Sequence, residues 1–379
     1  MCASLGHPLA CRAGPFAARR KFQHRQRSPR CAASGDGGGR GGGSSGGGSG
    51  GGDGSGGGRR RTFPLPLLYA AVWAVGTEAL AALQYQEAVG RDAERRAELF
   101  GGGRAGRARH QQRQRAKLDP EAPAVSIIVP TLNEEAGLAR TLRCLQHGLQ
   151  PAAAEVIVVD GGSSDRTVQV ARRCGARVVQ AGRGRARQMN AGAAAASGDI
   201  FVFAHADTTP PRTLVEVVRR TLARPAIVLG AFRPVIEYEG QPLRFFSANN
   251  TMKTYYGPLL LRPLSFLRGL RCLFGDQTLF CRADDFRRVG GYDSRLPIME
   301  DADLCMRMHM AGPADRPGRR GQVLQVNSVP NRTSGRRLAS WGSLHATVVH
   351  VAIGMSWYCG ATPEQLRGIY NRMYTDAFR

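Results

Sequence analysis

The chain has 379 residues, 42% of them apolar and 22% charged, with a formal net charge of +24. That length suits one large α/β domain with additions, and it excludes a small disulfide-stapled fold. The charge is nearly all arginine, since Lys21, Lys117 and Lys253 are the only lysines, and half of it falls before residue 121. No arginine/aromatic nucleic-acid motif accompanies it, so no nucleic-acid partner is expected. Nine cysteines, an odd number without a C-x-x-C pair, point to reduced thiols.

Four regions follow from the composition. Residues 1–34 are basic, rich in Arg, Ala and Ser, and free of acidic residues. With no long apolar stretch after the start, this reads as an organellar transit segment, chloroplast before mitochondrion. Residues 35–61 are a flexible Gly/Ser-rich linker closed by three arginines. Residues 62–120 hold an apolar helix over 63–83 and then a basic linker. That helix is near a membrane span in length, but Glu78 and two prolines count against spanning. Packing on the domain or lying at a membrane surface is the favoured reading.

Residues 121–379 form the folded domain. Apolar runs over 125–130, 155–160, 176–180 and 200–204 alternate with helical patterns over 135–146, 165–174 and 186–196. Alternation of this kind predicts an α/β fold, a Rossmann-like mostly parallel sheet with helices on both faces. Further strands are expected over 227–235, 275–282 and 322–329, helices over 213–222 and 300–310, and two helices at the C-terminal end. Residues 241–274 mix aromatics, Arg and Leu without a clear period, as an acceptor wall, a membrane contact or a covered segment would.

The buried strand at 200–204 runs into His205-Ala206-Asp207, placing an imidazole and a carboxylate where open α/β sheets bind ligands. Asp160 ends a strand ahead of Gly161-Gly162-Ser163-Ser164, a turn whose N–H groups suit a nucleotide. Asp165 reads as a nucleotide contact or as a helix N-cap. Glu300 and Asp301 sit together in the first turn of a helix.

Six segments in order resemble the family-2 glycosyltransferases, which have the A-type nucleotide-sugar fold: VSIIVPTLNEE (125–135), EVIVVDGGSSDRT (155–167), GRARQMNAG (184–192), GDIFVFAHADT (198–208), GDQTLFCR (275–282) and LPIMEDADLCMR (296–307). HADT, GDQ and PIMED, with TSGRR (333–337) and GATPEQLRGIY (360–370), are most similar to a bacterial-type subgroup associated with radical-SAM and selenoprotein domains. The resemblance implies an inverting, metal-dependent transfer from a nucleotide-diphosphate sugar to a hydroxyl acceptor. It implies that Pro130, Leu132, Glu134, Asp160, Arg187, Asn190, Ala206 and Asp207 border the nucleotide sugar. Asp207 would hold Mn²⁺ or Mg²⁺, with His205 standing where the family usually has a second carboxylate. Imidazole suits Mn²⁺ better than Mg²⁺. Asp301 would be the general base, with Asp276, Gln277 and Glu300 on the acceptor side and Arg336 or Arg337 at the diphosphate. The acceptor is not legible, although 241–274 hints at a lipid or membrane-near molecule. The alternatives are a sugar-nucleotide-binding protein without turnover, a nucleotidyltransferase and a membrane scaffold. The acidic segment 131–135 argues against the second, and the carboxylates against the last.

Overall fold

The computed structural model describes residues 65–100, 123–146, 154–316, 318–336 and 343–373. The transit-like segment 1–34, the linker 35–61 and Arg337 lie outside the described residues.

The first half of the domain alternates as the sequence patterns require. Strands β1 (Val125–Thr131), β2 (Ala154–Asp160), β3 (Arg177–Gln180) and β4 (Ile200–Phe203) alternate with helices α2 (Glu135–Gln146), α3 (Thr167–Arg173) and α4 (Arg185–Ala195). The four strands pair in parallel in the order β3-β2-β1-β4. Side chains alternate between two cores, as the strand period of two demands. Ile128, Ile157 and Phe201 pack with Ala186, Met189 and Ala193 of α4. Ile127, Val158 and Val202 pack with Leu138 and Leu142 of α2 on the other face. Gly192 lets α4 lie close to the sheet, because a Cβ there would come within 2.4 Å of Ile128 and 2.9 Å of Val159.

The second half departs from the parallel order. Helix α5 (Leu214–Leu222) lies between the short β5 (Thr208–Thr209) and β6 (Ile227–Tyr238), and β7 (Gln241–Pro242) pairs with the end of β6. Strand β8 (Leu279–Arg282) runs antiparallel to both β4 and β6, and β9 (Gln322–Ser334) runs parallel to β6. The nine-stranded sheet is therefore mixed, and the parallel expectation describes its first four strands. The strand expected over 275–282 is shorter. Gly275–Gln277 form a 3-10 turn, and Thr278 has φ 55° before β8 begins.

Residues 241–274 resolve into α6 (Arg244–Leu261) and α7 (Pro263–Leu267). Pro258 lies inside α6 and cannot donate to the Thr254 carbonyl. The Cys272 N–H takes that carbonyl instead, at 3.1 Å. Helices α8 (Ala283–Arg288), α9 (Glu300–Ala311), α10 (Ser343–Tyr358) and α11 (Pro363–Met373) complete the domain.

The apolar stretch at 63–83 opens one long helix, α1 (Leu65–Phe100). It is fixed to the domain by polar and aromatic contacts. Arg95 pairs with Asp293 at 3.0 Å, the Arg262 guanidinium donates to Gln84 at 2.6 Å, and Phe100 meets Phe286 edge-on at 6.3 Å. Hydrogen bonds and charge from Arg295, with the charge of Arg95, hold the Asp293 carboxyl well below its usual range despite its burial.

Candidate active site

The parallel strands end together. Thr131 stands opposite Asp160 and Ile128 opposite Phe203, so the loops after β1, β2 and β4 emerge side by side. The β2 loop folds back on Asp160, helped by Gly162 at φ 91°. Asp160 Oδ2 accepts the Gly162 and Ser163 N–H groups, each at 3.0 Å, and the Ser163 hydroxyl donates to Oδ1. A carboxylate has about four acceptor positions, so one is left for a ligand.

Asn133 joins this loop to the one after β1. Its N–H donates to Ser163 Oγ at 2.9 Å, and its Oδ1 accepts the Ser164 N–H at 2.9 Å. Asp165 bridges the same loops, accepting from Glu135 N–H at 3.1 Å and Thr167 N–H at 2.9 Å. Its N-cap reading is corrected by one position, since α3 starts at Thr167 with Arg166 as the cap residue. Gln188 was missed from sequence. It is buried, and its amide donates to Thr131 O at 2.7 Å and Val159 O at 2.9 Å, locking the ends of β1 and β2 together. Only a glutamine at the right helical phase could have signalled this.

Pro130 is buried at the end of β1, and Leu132 and Glu134 are half-buried beyond it. Arg336 comes within 3.8 Å of Glu134 Oε2. Ala206 is buried, and its carbonyl accepts the Thr141 hydroxyl at 2.6 Å. The Asp207 carbonyl accepts the Ser334 N–H at 3.2 Å, which brings the end of β9 and Arg336 to the same edge.

Two of the expected residues lie on α4, and the side chain of Asn190 is turned into the protein. Its amide donates to Tyr292 O at 2.8 Å and Ser294 Oγ at 3.2 Å, and its Oδ1 accepts the Tyr292 N–H at 2.9 Å. It holds the loop before α9 instead. Arg185 and Arg187 are both exposed, and of the two it is Arg185 that lines the cavity, as Arg262 and Arg271 do. Residues two apart on a helix point to nearly opposite sides, so the choice turns on helical phase.

A cavity of about 390 Å³ opens beside the strand ends. Arg185, His205, Asp207, Asp276, Glu300 and Asp301 line its polar part. Asp301 is 8% exposed. Its Oδ2 accepts the Gly275 N–H at 2.8 Å, while Oδ1 is buried without a partner among the described residues. Gly275 permits this arrangement. A Cβ there would sit 2.4 Å from His205 Nε2 and 3.1 Å from Asp301 Oδ2, so both side chains lie against the same glycine. Met299, at φ 71°, turns the chain into α9 and sets Glu300 and Asp301 in its first turn. Glu300 is buried and pairs with Arg185 at 3.1 Å.

Gln277 is corrected as an acceptor contact. It is fully buried, and its amide bonds to Asn250, Thr254 and Gln325, all at 3.2 Å. Asp276 does line the cavity. One of its oxygens accepts from Asn250, and Oδ1 is buried without a partner among the described residues.

Burial dominates the electrostatics. It pushes the Asp301 carboxyl up to about 8, reinforced by the Glu300 charge and opposed by Arg185 and the Gly275 N–H. Asp276 is raised by burial and opposed by Lys253. The Cys272 thiol beside them is pushed up to about 12 by burial, so it stays protonated. A carboxyl raised in this way lies closer to the working range of a general acid or base than a free aspartate does.

Among the described residues no group of three or more His, Cys, Asp or Glu side chains is arranged to hold a metal. A hard divalent cation needs only one or two protein carboxylates where phosphate oxygens and water complete its shell. Asp207, with His205 on the same cavity, fits a cation whose shell phosphate oxygens and water would complete.

The shifted Asp301 makes stability depend on pH. In the unfolded chain it releases its proton near 4, in the folded chain near 8. Between these the folded state holds the extra proton, so this contribution is full below about 4 and is lost as pH rises through about 8. Asp301→Asn has no proton to lose. In metal-free buffer its Tm is expected to fall less than the parent's between pH 5 and 9 and to exceed it at pH 9. An equally steep fall would overturn the assignment.

The family model for glycosyl transferase family 2 matches residues 126–285. A pre-mycofactocin glycosyltransferase of Mycobacterium tuberculosis is 29% identical over 203 residues, covering 51% of this chain and 41% of its own. A PGL/p-HBAD biosynthesis glycosyltransferase of Mycobacterium bovis is 31% identical over 195 residues, covering 49% of this chain and 70% of its own. Against the first of these relatives the chain spans less than half of their length. Among solved structures, a mannosyltransferase from Pyrobaculum calidifontis in complex with GDP-Man and Mn²⁺ aligns with TM-score 0.48 and 18% identity, over 76% of this chain and 82% of its own. The strand ends, the carboxylates gathered at them and these sequence matches agree: the chain belongs to glycosyltransferase family 2.

Proposed function

We propose that the protein moves a sugar from a nucleotide-diphosphate donor to a hydroxyl acceptor, with inversion at the anomeric carbon. One observation carries the reading: Asp301 Oδ1 is buried, unpartnered among the described residues, and shares a cavity with Asp207. In this reading Asp301 takes the proton from the acceptor O–H. The freed oxygen attacks the anomeric carbon from the face opposite the diphosphate. The carbon–oxygen bond to the diphosphate breaks, and its electron pair leaves with the phosphate.

The remaining residues bind and orient. Asp207, with His205 beside it, would hold Mn²⁺ or Mg²⁺, which when bound offsets the charge growing on the diphosphate. Arg336 adds positive charge at the same edge, and Arg337 is carried with it on sequence alone. Asp160 receives the base or ribose, between Pro130, Leu132 and Glu134; the N–H groups of residues 161–164 are already taken within the loops. Arg185, paired with Glu300, supplies the positive charge that helps Asp301 to ionise.

The test uses the full chain. Thermal shifts are measured with UDP, GDP, CDP and dTDP, with and without Mn²⁺. One nucleotide is expected to stabilise the parent only with metal. Asp207→Asn is expected to lose that shift. Asp301→Asn is expected to keep it while release of nucleotide from the matching donor falls by about 10²–10⁴-fold. Loss of the shift in Asp301→Asn, with folding intact, would contradict its role as the base.

A second reading concerns the membrane. Tyr69, Val72, Trp73, Leu80 and Leu83 form an outward apolar stripe on α1, 42–69% exposed. Among the described residues no helix is long and apolar enough to cross a membrane. A one-sided stripe carrying Tyr and Trp, with Arg59-Arg60-Arg61 just before it in sequence, suits a helix lying on an anionic bilayer. Vesicles of phosphatidylglycerol and phosphatidylcholine are expected to carry the protein in flotation. Trp73→Glu with Leu80→Glu is expected to leave most of it at the bottom of the gradient, and unchanged flotation would refute the reading.

Delivery to the chloroplast, or else the mitochondrion, is proposed from residues 1–34 alone. A fluorescent protein fused behind residues 1–62 is expected to enter plastids in leaf protoplasts, and a cytosolic signal would refute it.

A further inference from the structure

Helices α6 and α10 run side by side in the same direction. Three contacts rise in step along them. Asn249 Nδ2 lies 3.2 Å from Thr347 Oγ1, Lys253 Nζ lies 3.2 Å from His350 Nδ1, and the Tyr358 hydroxyl donates to the Leu261 carbonyl at 2.8 Å. Between the second and third contacts stand Gly257 on α6 and Gly354 on α10. A Cβ built on either would meet nothing within 4 Å. Glycine is disfavoured inside helices, and here no close packing requires it. What the two glycines do is leave a slot between the helices.

The slot is part of the cavity that holds Asp301. Its inner end is polar, with Asp276, Asp301, Asn250 and Lys253. Its outer wall is Pro258, Leu261, Val351, Ile353 and Met355. From Lys253 to Leu261 the helix advances about 12 Å at 1.5 Å per residue. Val351 and Met355 line the cavity and are also 45% and 42% exposed, so the slot reaches the surface there. Leu259 and Leu260 are exposed on the neighbouring helix. A polyhydroxylated acceptor would leave hydroxyls unpaired against Pro258, Leu261, Val351, Ile353 and Met355, and would find polar groups only where Arg262, Arg271, Tyr256 and Tyr358 also line the cavity. An alkyl chain would lose nothing there and would fill the gap.

We propose that the acceptor is an apolar-tailed alcohol, its hydroxyl at the unpartnered Asp301 oxygen and its tail in the slot between Gly257 and Gly354. The inference rests on the transferase reading for the word acceptor, and on the slot itself for the tail. The slot is lined by Trp357 as well, which gives an optical signal.

The experiment titrates the full chain with 1-butanol, 1-hexanol, 1-octanol and 1-decanol, read by tryptophan fluorescence and checked by calorimetry, with glycerol as the polar control. Affinity is expected to rise about 4-fold per methylene, the value for full burial of each added group. Gly257→Leu and Gly354→Phe fill the slot from two sides, and neither replaces a residue that touches the donor. Each is expected to weaken decanol binding at least 10-fold while the helices keep their circular dichroism and the nucleotide-with-Mn²⁺ shift stays as in the parent. Affinity independent of chain length, or decanol binding unchanged in both variants, would overturn the proposal. Decanol binding that follows the slot, with no nucleotide shift in any protein, would overturn the donor reading and the acceptor assignment with it.

Discussion

A carboxylate withdrawn from water needs donors or a counter-charge, and Asp301 is given little of either. One oxygen has the Gly275 N–H, and the other has no partner among the described residues. Arg185 helps, but it is already paired with Glu300, whose own charge works against Asp301. Much of the local geometry exists to hold this side chain in place. Gly275 must lack a Cβ because His205 fills that volume. Met299 takes a left-handed turn so that α9 begins at Glu300, where the helix dipole favours negative charge. Thr278, a β-branched residue, also adopts positive φ just before β8. Such conformations cost free energy and persist where the surrounding structure over-determines them. Here β8 is pinned between β4 and β6, and α9 is packed into the core through Leu304, Cys305 and Met308.

The same contrast decides what the sequence discloses. Helix Glu135–Gln146 is legible because an apolar period lies between acidic residues at its start and a basic one in its last turn. The strand at 200–203 is legible because four apolar residues are bounded by turn residues. The direction of β6, β8 and β9 is not legible. A strand buried on both faces reads as the same apolar run whether its neighbours are parallel or antiparallel. The site divides in a similar way. Asp160, Asp207 and Asp301 announce themselves as carboxylates at element ends. Arg185 and Arg187 differ only in helical phase, and Asn190 and Gln277 carry polar groups that the interior uses up. A polar residue in a motif shows that something needs its hydrogen bonds, and only the fold shows whether that is a ligand or the protein.

Helix α6 was hidden for another reason. Its apolar residues fall on both faces, because one face lines the cavity and the other carries exposed Leu259 and Leu260. Pro258 inside it reads as a breaker. The chain tolerates the proline because Cys272, far along the sequence, satisfies the carbonyl it strands. A non-local hydrogen bond of this kind has no local signature.

The residues proposed for the donor and the proposed base lie on different stretches of the chain. The strand ends and Asp207 lie within residues 126–285, the stretch that matches the family. Asp301, α9 and α10 lie beyond it, while α6, between β7 and β8, lies inside it. Burial weakens Lys253's hold on its proton, and burial with the Lys253 charge pushes His350 down to about 4. His350 therefore offers no positive charge to an anionic acceptor, which would have its own desolvation to repay. Asp276 and Asp301 stand at the same end and would repel such an acceptor. A neutral hydroxyl meets none of these penalties, and it brings the one proton that Asp301 is placed to take.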